Sequence, residues 1–144
     1  MQRWLALISF MAASALPVSV GMACDKAAFE RVVQQSSRAL QGLTQANKPR
    51  FQRKLQALKA KRGWSYDEFL TQAAPFVHDP KTQAYDQSTQ QTLARVYDLG
   101  REGTREVPDC KVLDELRGLL ERLVTTQKAK WRYLFTKVDA ELAR

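Results

Sequence analysis

Apolar residues recur every three or four positions along most of the chain after residue 24. This spacing places them on one side of an α-helix and is typical of amphipathic helices that pack around a core. Alternation of apolar and polar residues, the pattern of half-buried β-strands, is not sustained in any segment. The pattern therefore predicts an all-α fold.

Two helices are predicted in the first part of this region. Their apolar stripes consist of Phe29, Val32, Val33, Leu40 and Leu43, and of Phe51, Leu55 and Leu58. Asp25 is placed to cap the first helix, which we expect to end near residues 42–47. Pro49 fits the first turn of the second helix, and Gly63 is placed to end it.

A short helix and a longer one follow. Ser65 and Glu68 have the spacing of a capping box, in front of a short helix that Pro75 is expected to limit. Pro80 fits the first turn of the next helix, and Gly100 is placed to provide its left-handed C-cap. The two segments predict helices joined by a tight turn.

The longest apolar stripe belongs to a C-terminal helix that starts at Asp109, after a polar loop over 101–107. Its members are Leu113, Leu116, Leu120, Leu123, Val124, Gln127, Trp131, Leu134, Val138 and Leu142. Taken together, the segments predict an irregular bundle of four to five helices with a long C-terminal helix. We expect residues 24–144 to form one domain.

Residues 1–23 have the layout of a secretory signal peptide. Arg3 supplies the positive charge, an apolar run follows over 4–16, and Pro17 breaks it. Small residues at Gly21 and Ala23 occupy positions −3 and −1 of a cleavage site. We therefore predict cleavage after Ala23 and a periplasmic or secreted location.

Two other interpretations of the N-terminal segment remain open. A membrane anchor needs roughly 20 apolar residues, and Pro17, Ser19 and Gly21 interrupt the run before that length. A lipoprotein would carry an acyl group on Cys24, but Gly21 stands where a lipobox has a branched apolar residue. No second apolar span follows, so we expect no transmembrane span in the mature chain.

The chain has two cysteines, Cys24 and Cys110. Two cysteines in an exported chain indicate one structural disulfide. Both lie at predicted helix starts, so the bridge would hold two helix N-termini within about 7 Å. The alternatives are two free thiols, or a free Cys110 beside a lipidated Cys24.

The whole sequence carries 23 basic and 15 acidic side chains, a formal net charge of +8. One stretch holds seven basic residues and no acid: Lys48, Arg50, Arg53, Lys54, Lys59, Lys61 and Arg62. A second cluster interleaves basic and aromatic residues near the C-terminus: Lys128, Lys130, Trp131, Arg132, Tyr133, Phe135 and Lys137. The first stretch is the candidate site for an anionic partner, and the alternative is a solvated face that keeps the protein soluble.

Catalytic and cofactor chemistry finds little support in the composition. One His and two Cys cannot build a four-ligand His/Cys zinc site, and six scattered Gly form no phosphate-binding loop. His78, the single histidine, lies in a predicted turn with no nucleophile assigned to it. We expect no enzyme activity, no cofactor and no metal.

Export changes the partner that a basic surface would meet. We expect no nucleic acid ligand, because the polyanions outside the cytoplasm are lipid headgroups, wall polymers and acidic protein surfaces. The sequence favours a non-catalytic helical protein that binds an envelope protein or an anionic envelope surface, as a chaperone or adaptor does. The alternative is an immunity protein or an inhibitor of an exported toxin or hydrolase.

Overall fold

The computed structural model describes residues 24–102 and 109–144, and it contains four α-helices there. Helix α1 spans Lys26–Arg62, α2 Tyr66–Val77, α3 Pro80–Glu102 and α4 Cys110–Ala143. The described ranges contain no β-strand. The predicted all-α bundle with a long C-terminal helix is confirmed, whereas the predicted signal segment and residues 103–107 of the predicted loop lie outside the described residues.

Helix α1 is one continuous helix, so the predicted break near residues 42–47 is wrong. The apolar stripe passes through this region in phase, and Asn47 donates from Nδ2 to the carbonyl oxygen of Leu43 at 2.8 Å. Pro49 removes only the one backbone hydrogen bond that its missing N–H would give to Gln45. Packing of both halves of α1 against α4 outweighs that loss.

Local capping decides the other helix ends. Gly63 takes a left-handed conformation with φ of 66° and ends α1, as predicted. The predicted capping box is also confirmed, since Ser65 and Glu68 each bond to the other's backbone N–H. Two predicted ends are wrong, because α2 continues two residues beyond Pro75, and α3 runs through Gly100 to Glu102.

Helix α4 is the central element, because α1 and α3 each pack along it and have few contacts with each other. Cys24 and Cys110 form a disulfide with their Cα atoms 5.1 Å apart, as predicted. At the opposite end, Lys61 Nζ donates to the carbonyl oxygen of Leu142 at 2.6 Å. Helices α1 and α4 therefore run parallel and are joined at both ends.

Helix α3 runs antiparallel to α4. Arg95, near the end of α3, pairs with Glu115, near the start of α4, at 2.8 Å. Asp79, just before α3, pairs with Lys137 near the end of α4 at 2.5 Å. The short helix α2 packs beside that same end of α4.

The core consists of two apolar clusters along α4. The disulfide-end cluster contains Ala28, Phe29, Leu99, Leu113, Leu116, Leu120 and Leu123. The far-end cluster contains Phe51, Leu58, Leu134 and Val138. Between them lies a polar layer in which Gln127 donates from Nε2 to Thr89 Oγ1 at 2.7 Å. We call this layer, with Asn47 beside it on α1, the polar waist.

Candidate functional site

The seven basic residues of the predicted site do not lie on one face of α1. Residues Arg50, Lys54 and Lys61 are four and seven positions apart and face α4. Lys54 Nζ lies 2.5 Å from Asp139 Oδ1 of α4. The Arg50 guanidinium carbon lies 5.2 Å from the centre of the Phe135 ring, within the range of a cation–π contact.

Two more of the seven also have intramolecular partners. Arg62 pairs with Glu141 at 3.1 Å. Lys59 Nζ lies 5.7 Å from the ring centres of both Tyr66 and Phe69 in α2. The stretch has no acid of its own, but α4 supplies carboxylates to it. The charges of Lys54 and Arg62 are therefore compensated by carboxylates of α4.

Lys48 and Arg53 are exposed, and neither makes an ion pair or side-chain hydrogen bond with the described part of the chain. They point in different directions, because five residues on a helix turn the side chain through about 500°, or 140° after one full turn. Lys48 lies on the same side of α1 as Lys59, eleven residues later, which contacts α2. Lys48 and Arg53 therefore cannot serve one compact ligand together.

The basic cluster of α4 is divided by the same helical geometry. Lys130 pairs with Asp86, and Lys137 pairs with Asp79, so these two lysines are directed toward α3 and its N-terminal turn. Lys128 and Arg132 lie on the opposite flank of α4, and neither makes an ion pair within the described ranges. The fold thus neutralises one half of the cluster and leaves the other half unpaired.

The unpaired cations of α4 lie on the side of that helix that borders α1, with Arg132 near the level of Arg50 and Lys128 one turn closer to the disulfide end. Lys128 borders a groove between α1 and α4 together with Gln35 of α1. Arg132 follows Lys128 by one turn and precedes Phe135, the ring under Arg50, by nearly one turn. Arg53 points in the same direction as Gln35, because 18 residues make about five full turns.

We call this group of four the basic seam, and its members are Arg50, Arg53, Lys128 and Arg132. Two further ionic side chains border the same groove toward the disulfide end. Arg117 pairs with Asp114 at 2.9 Å, and Glu121 is an exposed carboxylate two turns before Lys128. The seam is therefore most strongly positive around Arg132 and Arg50.

A separate, largely apolar groove lies between α1 and α3 at the polar waist. It has a volume of about 270 Å³, and its lining residues are Leu40, Leu43, Thr44, Thr89, Leu93, Leu123, Gln127 and Trp131. Leu93 remains 47% exposed there. The sequence does not predict this groove, because it arises from the distance between α1 and α3. The apolar residue spacing within each of these two helices contains no information on that distance.

Asp79 forms the tightest polar cluster of the described structure, at the turn between α2 and α3. Its carboxylate accepts hydrogen bonds from Lys137 Nζ at 2.5 Å, Tyr133 Oη at 2.6 Å and the Thr82 amide at 2.7 Å. These bonds, with the one from Lys137 first, hold the pKa of Asp79 far below its usual value. The hydrogen bond from Tyr133 to Asp79 also raises the pKa of the Tyr133 hydroxyl.

The Asp79 cluster has a structural explanation. Lys137 also donates to the carbonyl oxygen of Pro75 at 2.5 Å, so one ammonium group binds the last turn of α2 and the start of α3. Asp79 also caps the start of α3, since its side chain accepts a hydrogen bond from the Thr82 amide. The neighbouring His78 is exposed and ends α2. The cluster anchors a turn to α4.

Comparison with known protein families, curated proteins and solved structures found no match. Within the described ranges, none of the helices combines the length and apolar character that crossing a bilayer requires.

Proposed function

We propose that the protein is an exported, non-catalytic helical protein that binds an anionic partner in the cell envelope, as an adaptor or chaperone does. One observation carries this proposal. The fold pairs or stacks most of the basic side chains in its two basic clusters, yet it leaves Arg53, Lys128 and Arg132 without carboxylate partners beside Arg50.

The electrostatics of such a group support binding at long range. Unpaired charges of one sign on one surface add their potentials and attract an opposite charge before contact. At physiological salt the screening length is about 8 Å, so the attraction weakens as salt is added. Paired cations such as Lys54 contribute much less, since the field of the nearby carboxylate opposes their own.

The proposed location has two supports. The order of charged, apolar and small residues over 1–23 is typical of an export signal. A disulfide such as Cys24–Cys110 forms and persists in oxidising compartments, which include the periplasm and the outside of the cell.

The experiment measures binding of the oxidised protein, expressed from its whole sequence, to two anionic probes: poly-glutamate beads and anionic lipid vesicles. We expect binding to at least one probe, and we expect its affinity to fall steeply between 50 and 300 mM salt, because the screening length shortens from roughly 14 Å to roughly 6 Å over this range. A variant with Arg50, Arg53, Lys128 and Arg132 replaced by Gln should lose that binding.

A charge-matched control distinguishes a site from net charge alone. Lys26, Lys48, Lys111 and Arg122 are exposed and lie outside the basic seam. Replacing these four by Gln lowers the net charge equally and should retain most of the binding. No salt-dependent binding of the wild type to either probe would refute the proposal.

A further inference from the structure

We infer that the anionic partner of the basic seam is a phosphate-bearing lipid surface, and that the protein docks on it along the α1–α4 pair. This inference rests on the proposed function and names the chemistry of its partner.

The seam contains three arginines but no Trp or Tyr. Energetic centres of protein interfaces are enriched in Trp, Tyr and Arg, and the aromatic residues fill pockets in the partner. The most exposed large apolar residues of the described structure are Val33, Tyr66, Leu70, Leu93 and Tyr97, and none belongs to the seam. The groove next to the seam is lined by Val32, Ser36 and Ala39 of α1 and by Val124 of α4, with no aromatic ring among its lining residues. Binding there depends on charge.

The cations form two short parallel rows. Lys128 and Arg132 are one turn apart on α4, a rise of about 6 Å, and Arg50 and Arg53 are nearly one turn apart on α1. Because α1 and α4 run side by side, the two rows can face one layer of headgroups at once. Three of the four are arginines, whose planar guanidinium groups bind phosphate oxygens in pairs.

The seam and the apolar pocket at the disulfide end open on different sides of α1. Along α1, Arg50 and Val33 differ by 17 residues, which separates their directions by about 100°. Val33 borders this pocket together with Phe29 of α1 and Gly100 of α3. A molecule that rests on its seam therefore keeps this pocket turned away from the lipid.

The test compares three probes at one salt concentration: phosphatidylcholine vesicles containing phosphatidylglycerol, pure phosphatidylcholine vesicles and poly-glutamate. We expect binding to the phosphatidylglycerol vesicles alone, measured by co-sedimentation and by tryptophan fluorescence. Each basic residue near an anionic surface contributes on the order of fivefold in affinity, so the four-residue seam variant should bind on the order of several hundredfold more weakly.

The control variant, with Gln at Lys26, Lys48, Lys111 and Arg122, should lose less than about tenfold in affinity for the vesicles, since it changes only the long-range attraction. Circular dichroism and intact disulfides verify that both variants remain folded. Competition with inorganic phosphate at millimolar concentration should displace little protein if the ligand is the lipid surface, and full displacement would indicate a free-phosphate site instead.

Three results would contradict these expectations, and each identifies which of the two proposals fails. Binding of the wild type to poly-glutamate but not to phosphatidylglycerol vesicles would overturn the lipid inference and leave the proposed function standing. Binding to neither probe would overturn both. Equal loss by the seam variant and the control variant would show that the seam is not the binding surface.

Discussion

The disulfide gives the most quantitative prediction, because its effect depends on a measured separation along the chain. Cys24 and Cys110 are 86 positions apart. The perturbation is to replace both by Ser, which removes the bridge without leaving a thiol that could pair elsewhere. The bridged residues lie at the starts of α1 and α4, and Cys24 is partly buried against the edge of the disulfide-end cluster.

The magnitude follows from the chain entropy of the unfolded state. Closing a loop of this length lowers that entropy by an amount worth about 4–5 kcal/mol at 25 °C. Native proteins of this size are stabilised by about 5–15 kcal/mol in total, so the bridge accounts for a large share. The double-serine variant should therefore be folded only marginally at low urea concentration.

The assay is urea unfolding followed by circular dichroism at 222 nm. For a urea m-value of about 1.5–2 kcal/mol per M, the midpoint of the variant should lie about 2–3 M below that of the oxidised protein. The m-value should also rise, because the unfolded chain without the bridge exposes more surface. Wild-type protein in a thiol reductant should unfold at the same urea midpoint as the double-serine variant.

A matched control introduces two serines beside the bridge and keeps it intact. Ala27 and Lys111 are exposed and lie at the same two helix starts. The A27S/K111S variant should stay within about 1 kcal/mol of the wild type. If the double-serine variant unfolds within about 0.5 M of the oxidised wild type, the loop-entropy reasoning is wrong for this chain.

Two further predictions concern α1 and the Asp79 cluster. Pro49→Ala restores the backbone N–H that can donate to the Gln45 carbonyl oxygen. The substitution should raise the free energy of unfolding, measured by urea titration, by about 1–3 kcal/mol. A loss of stability would mean that the proline gives α1 the curvature with which it packs along α4. The pKa of Asp79 is lowered in the folded protein, so its contribution to stability is complete above the unfolded value of about 3.9 and is lost as pH falls below it. Asp79→Asn should therefore destabilise the protein at pH 7 and flatten the fall in stability between about pH 5 and pH 2, and an unchanged pH profile would contradict the assignment.

Some features of the fold could be predicted because they depend on local chemistry. The stripe of Leu116, Leu120 and Leu123 is buried as its spacing predicts. The capping residues Asp25 and Ser65 act where the sequence places them. Pro49 lies inside α1 and not at the start of a helix. The sequence alone does not distinguish the two positions, because proline is common in a first helical turn and is tolerated inside a long helix only where packing compensates for it.

The basic seam could not be predicted, because it depends on which carboxylates the neighbouring helices supply. The sequence stretch around Lys54 has no acid nearby, and its partner Asp139 comes from α4. Lys130 likewise meets Asp86 of α3, whereas Lys128, two residues earlier, does not. Pairing across helices separates equivalent-looking lysines into neutralised and unpaired ones, and only the packed structure shows the result.

The position of the disulfide also divides the molecule into a covalent ring and a tail. The bridge closes the chain from Cys24 to Cys110, so α1, α2 and α3 belong to the ring and α4 is the tail that extends from it. The tail, α4, is the central helix and packs between α1 and α3 of the ring. Beyond Cys110, its first residue, no covalent bond joins α4 to the ring. A single backbone cut in the exposed turn at His78 would leave one covalent molecule, which separates into two pieces only when the bridge is reduced.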